Sequence, residues 1–559
     1  MTLPSAPRLR SASSTRPWPR PLGLRPRLRC AGRLLLLAAP LLACTPEEGG
    51  ETSATEGSRA DDAEIESTGA VSGSGDALVC EPGAAVCAAD GRGRDVCDDA
   101  GEGLHYEACE ADERCVDGLC RGPCELVEVE GDPSSAGCSF TTQASAQNDA
   151  EPDGLLVTNI SDAPATVQLL ETPRGTHDEV AVGAPVVLGP GAGHLFTIPG
   201  QAIGEFSAAF AGGSHRVVSD LPVIVHQQAP LQLPSSDSGL LLPDHALGLE
   251  YVVPSYPALH EPSYFTIVAI DDYTHVEWTP PTTTAGSGLP IPMVGPGETG
   301  ALTLHRGDTL RIGASAKAQP DPLLRDLSGT LVAADKPIAV VGGSRCAQVP
   351  ADVPECDHLF EPLLPVATWG SSYVGGPAPT WQDGPGVWRI YAGADGVTVD
   401  VEVTGADKPP APITLGERGA WIELELEGAA VFTGDGPFMP VYYMRSAGKA
   451  GGLGAPAMVQ APALEQQRAR YAFATPAELD EHVAWVTRPV GGAAVMIDAA
   501  PVDGFEIAVG GFEIAVVPVA AGHHVATSAE PFGLVILGQG AATASAHLGG
   551  VGLKALSDD

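Results

Sequence analysis

Cysteine, aspartate and histidine follow one another directly once in this 559-residue chain, in the stretch RCAQVPADVPECDHLFEP. Cys346 and Cys356 stand ten positions apart, Asp357 and His358 follow the second cysteine directly, and Glu361 lies three residues further on. Thiolate and imidazole are donors that zinc prefers, and a cysteine with a nearby histidine is also the material of a thiol nucleophile. Adjacent residues of an extended segment point to opposite faces, however, so Asp357 and His358 do not readily join both sulfurs in one tetrahedral set. If the chain is exported its thiols are oxidised, and the pair is then expected to be a disulfide closing a short loop. On that reading Asp357 and Glu361 cap or hydrogen-bond the loop, and His358 is a packed loop residue.

A second group of cysteines is denser. Cys80, Cys87, Cys97, Cys109, Cys115, Cys120, Cys124 and Cys138 lie within 59 residues, with no Cys-x2-Cys pair to suggest a zinc ribbon. An even cluster of this density reads as the disulfide framework of a module too small to fold on a core alone, with its pairing open. Asp90, Asp95, Asp98 and Asp99 lie among glycines there but miss the spacing of a calcium loop, and turns account for them. The chain has no G-x-S-x-G, H-E-x-x-H, phosphate loop or dinucleotide fingerprint. The pairs His523-His524 and Asp271-Asp272 are read as solvated strand ends. Glycosidase carboxylates carry no local signature and 70 Asp+Glu offer many pairs, so a glycan hydrolase stays as an alternative; seven Trp give few aromatic platforms for one.

The compartment follows from the first residues. Eight Arg and no acid precede the apolar run LLLLAAPLLA, which ends at Cys44. Residues 1–43 are expected to be a signal peptide, since the apolar run is about half of the ~20 residues a spanning helix needs. Leu41-Leu42-Ala43-Cys44 resembles a bacterial lipobox, which makes Cys44 the expected lipid anchor, and Thr45, where an Asp would favour inner-membrane retention, makes the outer membrane the expected location. Residues 44–78 are Gly, Ser, Thr, Glu and Asp with little to bury, hence an acidic flexible tether. Without the signal, 22 Lys+Arg face 70 Asp+Glu, a net charge near −48. Such a polyanion is a poor ligand for nucleic acid, and the membrane is expected to be met only through the N-terminal lipid.

These elements must be positioned by the rest of the chain. Gly 68, Pro 51 and 5% aromatic residues point to short strands punctuated by turns and exclude long helices. From 139 to 559 one sentence recurs: SHRVVSDLPVIVHQQ, GTLVAADKPIAVVGG, AAVFTGDGPFMPVYYM and HHVATSAEPFGLVILGQ. Each is a β-run, a polar turn, a proline and a second apolar run, expected to be a hairpin-like corner. Upstream of each lies an alternating strand-turn-strand pattern, as in YFTIVAIDDYTHVEW. The prolines, at 222, 337, 437 and 531, are 115, 100 and 94 residues apart, about the size of a β-sandwich. The fold expected is all-β: a disulfide-rich module at 79–138, then about four tandem sandwich-like repeats over 139–559, with a propeller-like ring as the alternative. GFEIAV occurs twice, at Gly504 and Gly511, as a strand pair or a bulged insertion.

The segment Asp326 to Val374 resembles the N-terminal domain of the IgGFc-binding protein family, found in animal mucus proteins and bacterial surface proteins. Cys346, Val349, Pro350, Cys356, Asp357, His358, Leu359, Glu361, Trp369 and Gly370 match its pattern, while Pro362 stands where a Gln is common. Tyr251 to Pro280 is similar to the same family's strand pair, and the cysteine module ending AGCSF is similar to the region preceding that domain in myxobacterial lipoproteins. The resemblance implies an extracellular β-rich body for adhesion or ligand binding, with no established catalytic centre and no cofactor. The partner expected is an extracellular protein or glycan. A spacer of the cell envelope is the third reading.

Overall fold

The computed structural model describes residues 80–556 apart from the stretches 130–132, 148–150, 203–206, 232–234, 259–261, 289, 352, 407–409 and 449–453. The signal peptide, Cys44 and the tether expected from the sequence lie outside the described residues.

Residues 80–121 form a three-stranded antiparallel sheet, Ala85–Cys87, Gly93–Cys97 and Leu104–Ala108, and a small hairpin. Val86, Leu104, Tyr106 and Leu119 are exposed, so apolar burial contributes little and the cross-links hold the module. The pairing is Cys80–Cys97, Cys87–Cys115, Cys109–Cys120 and Cys124–Cys138. The last of these differs in kind. Cys138 sits in the strand Gly137–Gln143, which belongs to the β body, and Cys124 sits in the seven-residue helix Pro123–Val129. The module is therefore bolted to the body rather than merely preceding it.

The body is four antiparallel units, each of two facing four-stranded layers with a few additions. The repeated sentences mark the strand that makes each unit. Ala208–Ala229, Thr330–Ala347 and Gly522–Gly540 are long strands bent at Pro222, Pro337 and Pro531; in the third unit Ala430–Gly434 and Phe438–Tyr443 are the two halves, separated at Pro437. Residues 214–219 pair with Gly137–Gln143 and Ala165–Thr172, whereas residues 223–229 pair with Asp153–Asn159 and Asp237–Leu240. The chain does not reverse at the proline, as a hairpin-like corner would; it passes from one layer to the other. Proline suits the bend because no ladder donor is needed where partners change. The upstream patterns are likewise arches. Ser263–Ala269 and Thr274–Thr279 pair with opposite halves of the bent strand and not with each other. Alternating hydrophobicity reports which side chains are buried between two layers, not which way the chain turns.

A tyrosine fixes three of the bends. Tyr251, Tyr373 and Tyr471 each accept the N–H three residues back, from Gly248, Gly370 and Arg468, and donate to the carbonyl after the proline, of Ile338, Phe438 and Phe532. Each pairs with the residue five before the proline, and Phe140 holds that register position in the first unit, opposite Val217. The duplicated GFEIAV pairs with itself: Ile507 opposes Ile514 across a two-residue turn in which Gly510 and Gly511 have φ of 55° and 86°, the positive angles a tight hairpin turn of this type requires.

Each unit ends in a short strand: Asp237–Leu240, Asp357–Pro362, Met458–Gln460 and Thr543–Leu548. These four axial strands pack on one another in cyclic order, the fourth against the first. The units thus form a ring about a shared axis, joining both readings of the sequence: sandwich-like repeats arranged as a ring. Ser135 N–H donates to Val551 O and Leu553 N–H to Pro133 O, closing the ring where the chain is not continuous.

Candidate functional site

Asp357, His358, Leu359 and Glu361 of the 346–370 signature are drawn toward that axis, because the second unit's axial strand carries them. Cys346 ends the bent strand and Cys356 precedes the axial one; the structure joins them, with Cα atoms 5.0 Å apart. Asp357, His358, Leu359 and Glu361 are 0–3% exposed. Trp369 is equally buried and donates its indole N–H to Leu364 O at 3.1 Å, at the end of the short 3-10 turn Val366–Thr368.

Five polar side chains hold the axis. Asp237, from the first unit, accepts N–H groups from all three others: Phe360 (3.1 Å), Met458 (3.1 Å) and Ala546 (3.1 Å), besides its neighbour Ser238 (2.8 Å). Asp357 accepts from Ser235 Oγ, the His358 N–H and the Ala544 N–H. Glu361 Oε1 accepts the Gln460 backbone N–H at 2.9 Å and its amide at 3.2 Å, while Oε2 has no partner among the described residues. Gln460 also donates to Pro362 O at 3.1 Å, so a third-unit glutamine supplies an amide beside the position where the family commonly has its own. The His358 ring spans Tyr264 OH (2.6 Å) and Ala229 O (2.8 Å), which assigns Nδ1 as donor and Nε2 as acceptor of a neutral imidazole.

Burial decides the electrostatics. It pushes the carboxyls of Asp237, Asp357 and Glu361 well above their ordinary range, against the hydrogen bonds they accept. It pushes His358 down to about 4, partly offset by the bond to Ala229. Such groups elsewhere mark acid-base sites, but here the carboxylates are closed to solvent and, Glu361 Oε2 apart, their oxygens accept from protein donors, most of them backbone N–H groups. Their chemistry is to satisfy axial-strand donors that no ladder partner reaches.

Other residues singled out in the sequence fall elsewhere. Trp369 and Gly370 lie beneath a depression of about 440 Å³ rimmed by Asp435 and Glu465, both exposed, and Asp435 is occupied in accepting the Thr398 N–H. His523 and His524 are not solvated strand ends: His523 bonds Thr158 of the first unit at 2.8 Å, and His524 is buried against Asp498 at 2.7 Å. Asp271 and Asp272 are exposed. Cys109, Glu113 and Cys120 come within metal-binding distance of one another, yet the two sulfurs are bonded to each other and offer no thiolate pair. Asp237, Gln460 and the buried Arg389, which pairs with Asp326 and Glu423 between the second and third units, were not legible as functional. No motif marks them; only repeat alignment would have placed Asp237 on an axial strand.

The sequence profile of the IgGFc binding protein family matches residues 237–538, from the hub aspartate to the last bent strand. An IgGFc-binding protein of Homo sapiens is 29% identical over 228 residues, 39% of this chain. The chain spans about 4% of that relative's length. With the match covering more than half of its residues, the chain belongs to the IgGFc binding protein family.

Proposed function

We propose that this is a surface lipoprotein, anchored through Cys44 to the outer membrane and facing outward, whose β ring binds an extracellular protein or glycan. The observation that carries a binding role is the use made of the signature. Its carboxylates and histidine are consumed in holding four units together, which leaves the exterior of the ring as the surface open to a partner. Family membership supports the same reading, and no helix among the described residues is long and apolar enough to cross a membrane. Immunoglobulin is not part of the proposal, because the match covers so small a part of the relative that carries that name.

Detergent-phase partitioning and protease shaving of intact cells compare wild type with Cys44→Ala. Wild type is expected in the detergent phase and open to external protease, and the variant in the aqueous phase; identical partitioning sinks the anchor. The purified protein is then applied to extracellular-protein and glycan arrays, with product release followed in parallel. Saturable binding without turnover supports capture, glycan cleavage would transfer the case to a hydrolase, and neither would leave a spacer.

A further inference from the structure

Two histidines meet on the outer surface between the first and second units. His177 lies in the connection between Ala165–Thr172 and Val180–Leu188, and His305 in the turn between Gly300–Leu304 and Asp308–Gly313. Their ring centroids are 5.2 Å apart with planes at 54°. Each ring has its own carboxylate: His177 Nε2 lies 2.9 Å from Asp308 Oδ1, and His305 Nδ1 lies 3.4 Å from Asp272 Oδ1. The carboxylates are themselves anchored. Asp308 accepts the Gly212 and His305 N–H groups, and Asp272 accepts the Arg306 N–H.

A carboxylate on one ring nitrogen fixes the proton there and leaves the other nitrogen as a lone-pair donor, the outer-shell arrangement of histidine metal ligands. His177 Nδ1 and His305 Nε2 are the nitrogens so released, and both side chains are solvent-accessible, at 50% and 37%. With a Zn–N distance of about 2.1 Å and a near-tetrahedral angle, two imidazoles sharing one ion place their centroids roughly 5 Å apart. Tyr273 adds a third observation. It has φ of 57°, is 70% exposed, and sets its ring edge against His305 at 4.6 Å. Bulky side chains rarely take that backbone angle, and such outliers gather where geometry is held for a purpose.

We propose that His177 and His305 form a surface site for a zinc-type divalent transition-metal ion, with Asp308 and Asp272 as positioning residues and the remaining coordination positions left to water or a partner's donor. Nitrogen ligands select this class over calcium or magnesium, which take oxygen. A two-histidine site on the exterior is also separate from the buried axis, so it stands or falls independently of the adhesion reading.

The test is calorimetric titration of Zn²⁺ into the purified chelator-stripped protein, with imidazole ¹⁵N shifts followed in parallel. One ion per chain is expected, with the shifts confined to His177 and His305, and His177→Ala or His305→Ala weakening binding by at least tenfold. Asp272→Asn should weaken it by about 10-fold or more while leaving both ligands in place. Binding unchanged in the double histidine variant overturns the site, and so does the absence of saturation in wild type up to about 1 mM. His177 is exposed and His305 half-buried, so a folding defect at His177 does not confuse the readout, and His177→Gln repeats the test with a smaller change of shape.

Discussion

The axis and the outer seam between the first two units use the same two residue types to opposite ends. At the axis Asp357 and His358 are about 1% exposed or less, and their side chains are hydrogen-bonded to protein groups. At the seam a carboxylate meets one ring nitrogen of each of His177 and His305, and the two side chains keep 50% and 37% of their surface in solvent. Histidine beside aspartate is therefore not itself a signature of function. Desolvation converts the pair into scaffold, and exposure with an anchored carboxylate leaves it free to take a ligand.

The strongest way to break this contrast is at Asp237. Asp237→Ala would orphan four buried N–H groups from four axial strands, each costing about 1–3 kcal/mol, and should lower stability by roughly 4 kcal/mol or more. Asp237→Asn, which keeps one acceptor oxygen, should lose about half of that. Chemical denaturation checks both, and an alanine variant as stable as wild type would remove the hub.

The next effect is pH-dependent. The folded-state pKa of His358 is pushed down to about 4 from 6.5. The unfolded chain then binds the proton first, so this histidine's contribution is full above pH 6.5 and is lost as pH falls toward 4, by about 3 kcal/mol. Raised carboxyls act in the opposite sense: Asp153, pushed up to about 7 by burial, favours the folded state below pH 3.8 and loses that contribution as pH rises through 7. Wild-type stability alone therefore mixes the two. His358→Gln keeps a donor and an acceptor without titrating, and the difference between variant and wild type should shift in the variant's favour between pH 6.5 and 4.5. A pH-independent difference would place the proton elsewhere.

Replacing Cys346 and Cys356 together by serine should cost about 2–3 kcal/mol in the loop-entropy account of a ten-residue separation, with the axis intact by near-UV circular dichroism. A metal released on substitution would instead mark the pair as ligands. The smallest effect sharpens the other side: His177→Ala and His305→Ala should change stability by less than about 0.5 kcal/mol, as exposed substitutions do. A large loss there would make the seam structural too.

How much of this was legible depends on the element. The proline sentences located the bent strands because a proline between two apolar runs marks the place where ladder partners change. They did not reveal that the chain continues into the facing layer, since both a hairpin and a layer change bury alternate residues. The clamp tyrosines went unread because the carbonyls they donate to lie 61–87 positions away. His523 and His524 looked exposed because a histidine pair at a strand end carries no mark of the neighbour that will cover it, and the first unit covers His523.

Sequence by itself determined the all-β class, the cysteine-dense module, the family, and the segment where polar chemistry gathers; local spacing, turn residues and composition suffice for these. Only the tertiary structure decided what that segment does. Whether a carboxylate is a catalyst, a ligand or a strut depends on solvent and on donors contributed from far along the chain. At Asp237 those donors are Phe360, Met458 and Ala546, and ring closure alone brings them to one pair of oxygens.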